Sequence, residues 1–286
     1  MTSRWIINLL ILATAVVLAL IAWYEPGIEP PVGSRPITGL ATEQVERIEV
    51  VRPLREDLVL RRDSAGGWLL DREPELPADP VQVRSLAKLV EQRAVRSYAA
   101  EHLDLPRLAL DPSYASITLN DIRIESGSLE PLQELRYVRI NDQVHLISDM
   151  YQHLIDADYT QFVQRRLFSE SARINELNLP GLRLYQSDGK WQVEPQQPVS
   201  ADAIQQLVEN WQQAKARYVK AAGADSDSAE VISVSLDDSD QTVEFIVVSR
   251  EPELILRRSD HGIDYQMGSS GNNLLRLPEP ATENPA

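Results

Sequence analysis

Apolar and polar residues follow three patterns along this chain: one unbroken apolar run, several alternating stretches, and three stretches that read as helical. The unbroken run is residues 5–24, which carries no charge and only Asn8 and Thr14 as polar side chains. At helical rise it spans about 30 Å, the hydrocarbon thickness of a bilayer, and Trp5 and Trp23-Tyr24 place amphipathic rings at headgroup level. Leu20-Ile21-Ala22 lacks a small-x-small cleavage pattern, and the run is long for a signal peptide, so the pattern predicts an uncleaved transmembrane anchor. Arg4 precedes the run and Glu25 and Glu29 come after it. The positive-inside rule therefore puts residues 1–4 in the cytoplasm and the bulk of the chain across the membrane.

Beyond the apolar run, alternation dominates the chain. Residues 58–68 and 182–191 each read as a hairpin with Leu-x-Leu before a polar turn and Trp directly after it, and Asp188-Gly189 is a strong turn signal. A helix is predicted after each hairpin. Asp79 is an N-cap with Pro80 at the first helical position, and Val83, Leu86, Leu89 and Val90 share one face. Ser200 caps a second helix burying Ile204, Leu207, Val208 and Trp211. Ala78-Asp79 recurs as Ala201-Asp202, and Arg96-Ser97-Tyr98 is echoed by Arg217-Tyr218. Hairpins at residues 134–142 and 253–260 pair in the same way, and the entrances 45–50 and 172–177 match. The repeat is about 120 residues, the size of a small domain.

These patterns predict an α+β fold: an N-terminal transmembrane helix, then two tandem, similar units of mostly antiparallel sheet with one packed helix each, ordered β-β-β-α-β-β-β-β. The expected boundaries are residues 1–4 for the cytoplasmic N-terminus, 5–24 for the anchor, 25–36 for a Pro-rich linker, 37–168 for the first unit with its joining helix, 169–277 for the second unit, and 278–286 for a disordered tail. The joining helix is expected over residues 149–168, with Tyr151, Leu154, Ile155, Phe162 and Val163 packing the units together.

Composition narrows the function classes. The formal net charge is −15, which disfavours a nucleic-acid partner. The chain has no cysteine, so disulfides, thiolate nucleophiles, zinc–cysteine sites and a lipoprotein cleavage site are excluded. Ser85 and Lys88 have the S-x-x-K spacing of serine acyl enzymes, one helical turn apart, but the companion S-D-N and K-T-G elements are missing. His102, His145, His153 and His261 are dispersed, with His145 expected to face solvent from a strand. Asp225, Asp227, Asp237, Asp238 and Asp240 lack the spacing of a calcium loop. The glycines at 66–67 and 268–271 suit turns. No catalytic, cofactor-binding or metal site is expected.

Ile37-Thr38-Gly39-Leu40, a strand at residues 45–51, the tryptophan hairpin, Pro77-Ala78-Asp79 and Leu110-Asp111-Pro112 ahead of Ile117-Thr118-Leu119 together resemble the bacterial domain of unknown function 4340 family. Ala109-Leu110 stands where the family pattern has Gly-Leu, and Pro112 directly follows Asp111. The resemblance implies an inner-membrane protein with a periplasmic bulk. Some relatives occur beside, or fused to, auxiliary components of ABC-type transport systems, and the family brings no agreed catalytic residues. The expectation is a non-enzymatic, single-pass envelope protein that binds a protein partner in the inner membrane or periplasm. The alternatives are a periplasmic serine hydrolase or acyl-transfer enzyme using Ser85 and Lys88, and a lipid- or glycan-binding module with a cleft between the units.

Overall fold

In a computed structural model, the described residues are 12–17, 36–223, 230–237, 239–269 and 271–278. Residues 12–17 are helical with exposed side chains. The expected cytoplasmic residues 1–4, the rest of the expected anchor, residues 25–35 of the expected linker and residues 279–286 of the expected tail lie outside the described residues. Among the described residues no helix is long and apolar enough to cross a membrane.

Strands of alternating burial build two antiparallel sheets. The first contains β1 (Arg47–Val51), β2 (Leu58–Arg62), β3 (Trp68–Leu70), β4 (Leu76–Pro77), β5 (Arg96–Ala99), β6 (Ala115–Leu119), β7 (Ile122–Glu130), β8 (Leu135–Ile140) and β9 (Gln143–Ser148). Its order is β4-β3-β2-β1-β6-β7-β8-β9-β5. The second contains β10 (Ile174–Leu179), β11 (Leu182–Ser187), β12 (Lys190–Glu194), β13 (Tyr218–Ala221), β14 (Val231–Leu236), β15 (Ser239–Ser249), β16 (Ile255–Arg258) and β17 (Ile263–Gln266). Its order is β12-β11-β10-β14-β15-β16-β17-β13. With β4 set aside, the two orders coincide position for position.

Register follows the pleat, since only one phase buries the apolar set. Ile48 and Val50 of β1 face Leu60 and Leu58 on one side and Leu119 and Ile117 on the other. In the second sheet Leu177 stands between Leu184 and Val234. All of these side chains are buried.

Helix α1 (Pro80–Ala87) buries Val83, Leu86 and Ala87, and continues as a tighter turn that buries Leu89 and Val90. The Asp79 carboxylate accepts from the Val81 amide at 2.9 Å, the cap expected from the sequence. The short α2 (Gln152–Ile155) follows the first sheet. Helix α3 (Ala201–Gln212) is capped by Ser200, whose hydroxyl accepts from the Ala203 amide at 3.1 Å, and buries Ile204, Leu207, Val208 and Trp211.

Three expectations need correction. The first half has a fourth strand, β4, ahead of its helix where three were expected, a two-residue strand too short to show alternation. A strand directly follows the long helix in each half (β5 and β13), giving five strands after the helix instead of four. Both are four residues long, and β5 exposes Arg96, Ser97 and Tyr98 in succession, so it has no alternation to detect. The joining segment is also not one helix. It comprises short turns at Asp149–Tyr151, Gln152–Ile155 and Tyr159–Phe162, then extended chain. The Asp158 carboxylate accepts from the Thr160 amide at 2.9 Å and restarts the helical turn there. Beyond it, the extended backbone is held from both sides. Phe162 and Gln164 bond Asp79 and Pro77 ahead of α1, whereas Arg165 and Leu167 bond Ala216 and Ala214 behind α3. Tyr151, Leu154, Ile155, Phe162 and Val163 are buried in a core that runs through both sheets.

Candidate functional site

Two features of this framework are suited to binding: an uncovered sheet edge and a cleft at the junction. The edge is β12. Asp188 and Gly189, at φ 51° and 72°, form the two-residue turn of the β11–β12 hairpin, the conformation in which Asn-Gly and Asp-Gly are favoured. Register then puts Leu184 beside Val193 and Gln186 beside Trp191 on one face, with Arg183 beside Glu194 and Tyr185 beside Gln192 on the other. On that second face Arg183 bonds Glu176 at 2.8 Å and Glu194 at 3.4 Å, and the Tyr185 hydroxyl donates to Glu194 at 3.2 Å. The bond from Arg183 holds the Glu176 carboxyl below its ordinary range.

The equivalent strand of the first sheet is not open. There β3 is covered by β4, with Leu69 opposite Pro77 and Leu70 opposite Leu76, and Trp68 is buried. After β12 the chain continues as Pro195-Gln196-Gln197-Pro198, exposed and without regular structure. Its prolines lack the N–H groups a ladder needs. Among the described residues no strand pairs with the outer edge of β12, and Trp191 and Val193 are only partly buried.

The junction cleft has a volume of about 230 Å³ and is lined by Pro77 from the first sheet, Arg166 and Phe168 from the joining segment, and Arg258, His261 and Tyr265 from the second sheet. Phe168 is fixed edge-on to Phe245, ring centroids 5.9 Å apart, and Phe245 also meets Trp211. Arg258 bonds Asp260 at 3.1 Å. Arg166 lies 3.9 Å from Glu170, and its Nε, like His261 Nδ1, is buried without a hydrogen-bond partner. Burial, and then Arg258, push the His261 imidazole below its ordinary value. Burial pushes the Tyr265 phenol up to about 12. The cleft therefore offers guanidinium donors, a neutral imidazole and a protonated phenol beside apolar rings.

Of the residues singled out from sequence, His261 lines the junction cleft and the others do not come together with it. The Ser85 hydroxyl donates to the Val81 carbonyl at 2.8 Å, and no hydrogen bond joins it to the exposed Lys88. His102 and His153 are exposed. His145 does not face open solvent: it is half-buried on the strand between β8 and β5, with Nδ1 2.8 Å from the Ser97 hydroxyl, because side chains of both flanking strands stand beside it. Asp237 is exposed, whereas Asp225, Asp227 and Asp238 lie outside the described residues. Among the described residues no three His, Asp or Glu side chains converge on a metal-sized site. Sequence reading missed the cleft residues Arg166, Arg258 and Tyr265. It also missed Arg52, which is buried and donates to the Ile155, Ala157 and Glu56 carbonyls at 3.1, 2.6 and 2.7 Å. None of these carries a local motif; chain segments distant in sequence make each one what it is.

The family model of the domain of unknown function (DUF4340) matches residues 68–231. This chain belongs to that family. The matched segment opens at the first residue of β3 and closes at the first residue of β14, so it takes in the β12 edge, both long helices and the whole joining segment. No curated protein and no solved structure matches the chain.

Proposed function

We propose that this chain is a single-pass inner-membrane protein whose periplasmic bulk, built from a duplicated unit, binds another polypeptide as an auxiliary component of an ABC-type transport or envelope complex. The observation that carries the reading is the β12 edge. Strand addition uses main-chain groups for affinity and alternate side chains for specificity, and β12 offers both. Uncovered edges are a liability that proteins normally block, and the first sheet blocks its equivalent edge with β4. Residues 5–24 supply the anchor in this proposal, and the coincident strand orders support the duplication. The transport association rests on the family resemblance alone.

Co-purification of the full-length, detergent-extracted chain tests it. A captured partner that is lost on Val193→Pro supports binding through the edge, because proline removes a main-chain donor and is tolerated on an edge strand. Capture unaffected by Val193→Pro, or capture of neither another polypeptide nor a co-expressed, differently tagged copy of the chain, overturns the reading. The junction cleft favours a second reading, a carbonyl-bearing or anionic lipid or glycan held against Arg166 and His261. Native mass spectrometry of the extracted protein is then expected to show a retained ligand, and a bare mass would count against it.

A further inference from the structure

We propose that the occupant of the β12 edge is β12 of a second copy of this chain, paired antiparallel about a two-fold axis at Gln192. The proposal rests on the strand-addition reading and names its partner.

The hairpin determines which main-chain groups face outward. In a two-residue hairpin the closing pair, here Ser187 and Lys190, is hydrogen-bonded, and such pairs alternate along the ladder. Lys190, Gln192 and Glu194 therefore turn their N–H and C=O groups toward β11, while Trp191 and Val193 turn theirs outward. An incoming antiparallel strand of the same sequence must match outward groups with outward groups, so only residues of like parity can stand opposite each other. That leaves two-fold centres at Trp191, Gln192 or Val193.

A centre at Trp191 pushes Val193 against the turn glycine, Gly189. A centre at Val193 sets Trp191 opposite Pro195, which has no N–H to give. The Gln192 centre overlaps all five residues of β12. Trp191 and Val193 then exchange hydrogen bonds with Val193 and Trp191 of the other copy, an aromatic–β-branched pair of the kind that stabilises sheets. On the opposite face Lys190 lies across from Glu194 of the other copy, twice by symmetry. Lys190 has no ion-pair or hydrogen-bond partner among the described residues, whereas Glu194 is bound to Arg183 and Tyr185 and remains half-exposed. The strand is thus self-complementary in charge, shape and main-chain pattern, as an isologous contact requires. Joining two copies makes one continuous sheet from two eight-stranded ones.

A five-residue edge buries less than the roughly 1,200 Å² of a stable free interface, so the contact suits molecules concentrated in one membrane, and the test uses the full-length chain in membranes. The absence of native cysteine makes introduced thiols unambiguous. Gln192→Cys meets only itself across the axis, at the roughly 4.5 Å Cα spacing of a non-hydrogen-bonded pair, within disulfide reach. Oxidation is expected to give a dimer of twice the 32.2 kDa chain. Lys190→Cys and Glu194→Cys copies are expected to cross-link when co-expressed and not when expressed singly. Lys190→Glu in the Gln192→Cys background should lower the yield roughly tenfold, as two attractive pairs become repulsive, and adding Glu194→Lys should restore it. Cross-linking of Gln192→Cys to a different polypeptide overturns the self-pairing and leaves strand addition standing. Failure to cross-link to anything overturns both.

Discussion

Individual side chains here owe their behaviour to neighbours far away in sequence. His145 and His261 both titrate below their ordinary value of 6.5, and burial is the main cause for each. At pH values below 6.5 the unfolded chain takes up these protons while the folded chain resists them, so the stability these residues contribute is present above that value and lost as pH falls. Chemical denaturation at pH 7.5 and 5.5 is expected to show the loss, with His145→Gln reducing the slope. An unchanged slope would mean the imidazole is as solvated folded as unfolded. The half-buried state of His145 was not legible from Val144 and Leu146 on either side. Alternation assigns a residue to a face of the sheet, but only tertiary structure brings Ser97 of β5 and Val138 of β8 beside the ring.

Elements divide by how local their causes are. The N-caps of α1 and α3, their buried faces and the Asp188-Gly189 turn were all legible, since each depends on residues a few positions apart. The bulge in β7, where the register against β8 shifts between Ser126 and Leu129, was not. Gly127 sits where a Cβ would fall 2.4 Å from the Leu108 carbonyl oxygen and 2.9 Å from the Leu110 side chain, while the Ser128 amide donates to that same carbonyl at 2.7 Å. Gly127→Ala must therefore push the 105–110 loop off the strand, and is expected to cost about 2 kcal/mol, in the range of overpacking. A denaturant midpoint within error of the parent would show that the loop yields freely. The same dependence on distant chain explains why β5 and β13 escaped detection: they are short, and their sheet neighbours come from the far end of each half.

For the molecule as a whole, the joining segment matters most. Its backbone bonds chain ahead of α1 and behind α3, and Phe162 and Phe168 carry one core from sheet to sheet. The two sheets are therefore expected to unfold together, giving one calorimetric transition whose van't Hoff and calorimetric enthalpies agree. Two resolved transitions, or a Phe162→Ala variant in which one half melts alone while the other is unaffected, would show that the halves are independent.

The sequence by itself determined the membrane-length apolar run, the hairpins, the caps, the helix faces and the repetition of similar segments at about 120 residues. Each of these is written in spacing, and spacing acts over a turn of helix or a pleat of strand. Tertiary structure alone decided that the two halves share one strand order, that the segment expected as a joining helix is an extended clasp, and that Arg166, His261 and Tyr265 meet in a cleft. It also decided that β3 is covered and that, among the described residues, β12 is not. Whether an edge is open depends on which distant part of the chain returns to satisfy its N–H and C=O groups, and no local pattern in β12 records that none does among the described residues.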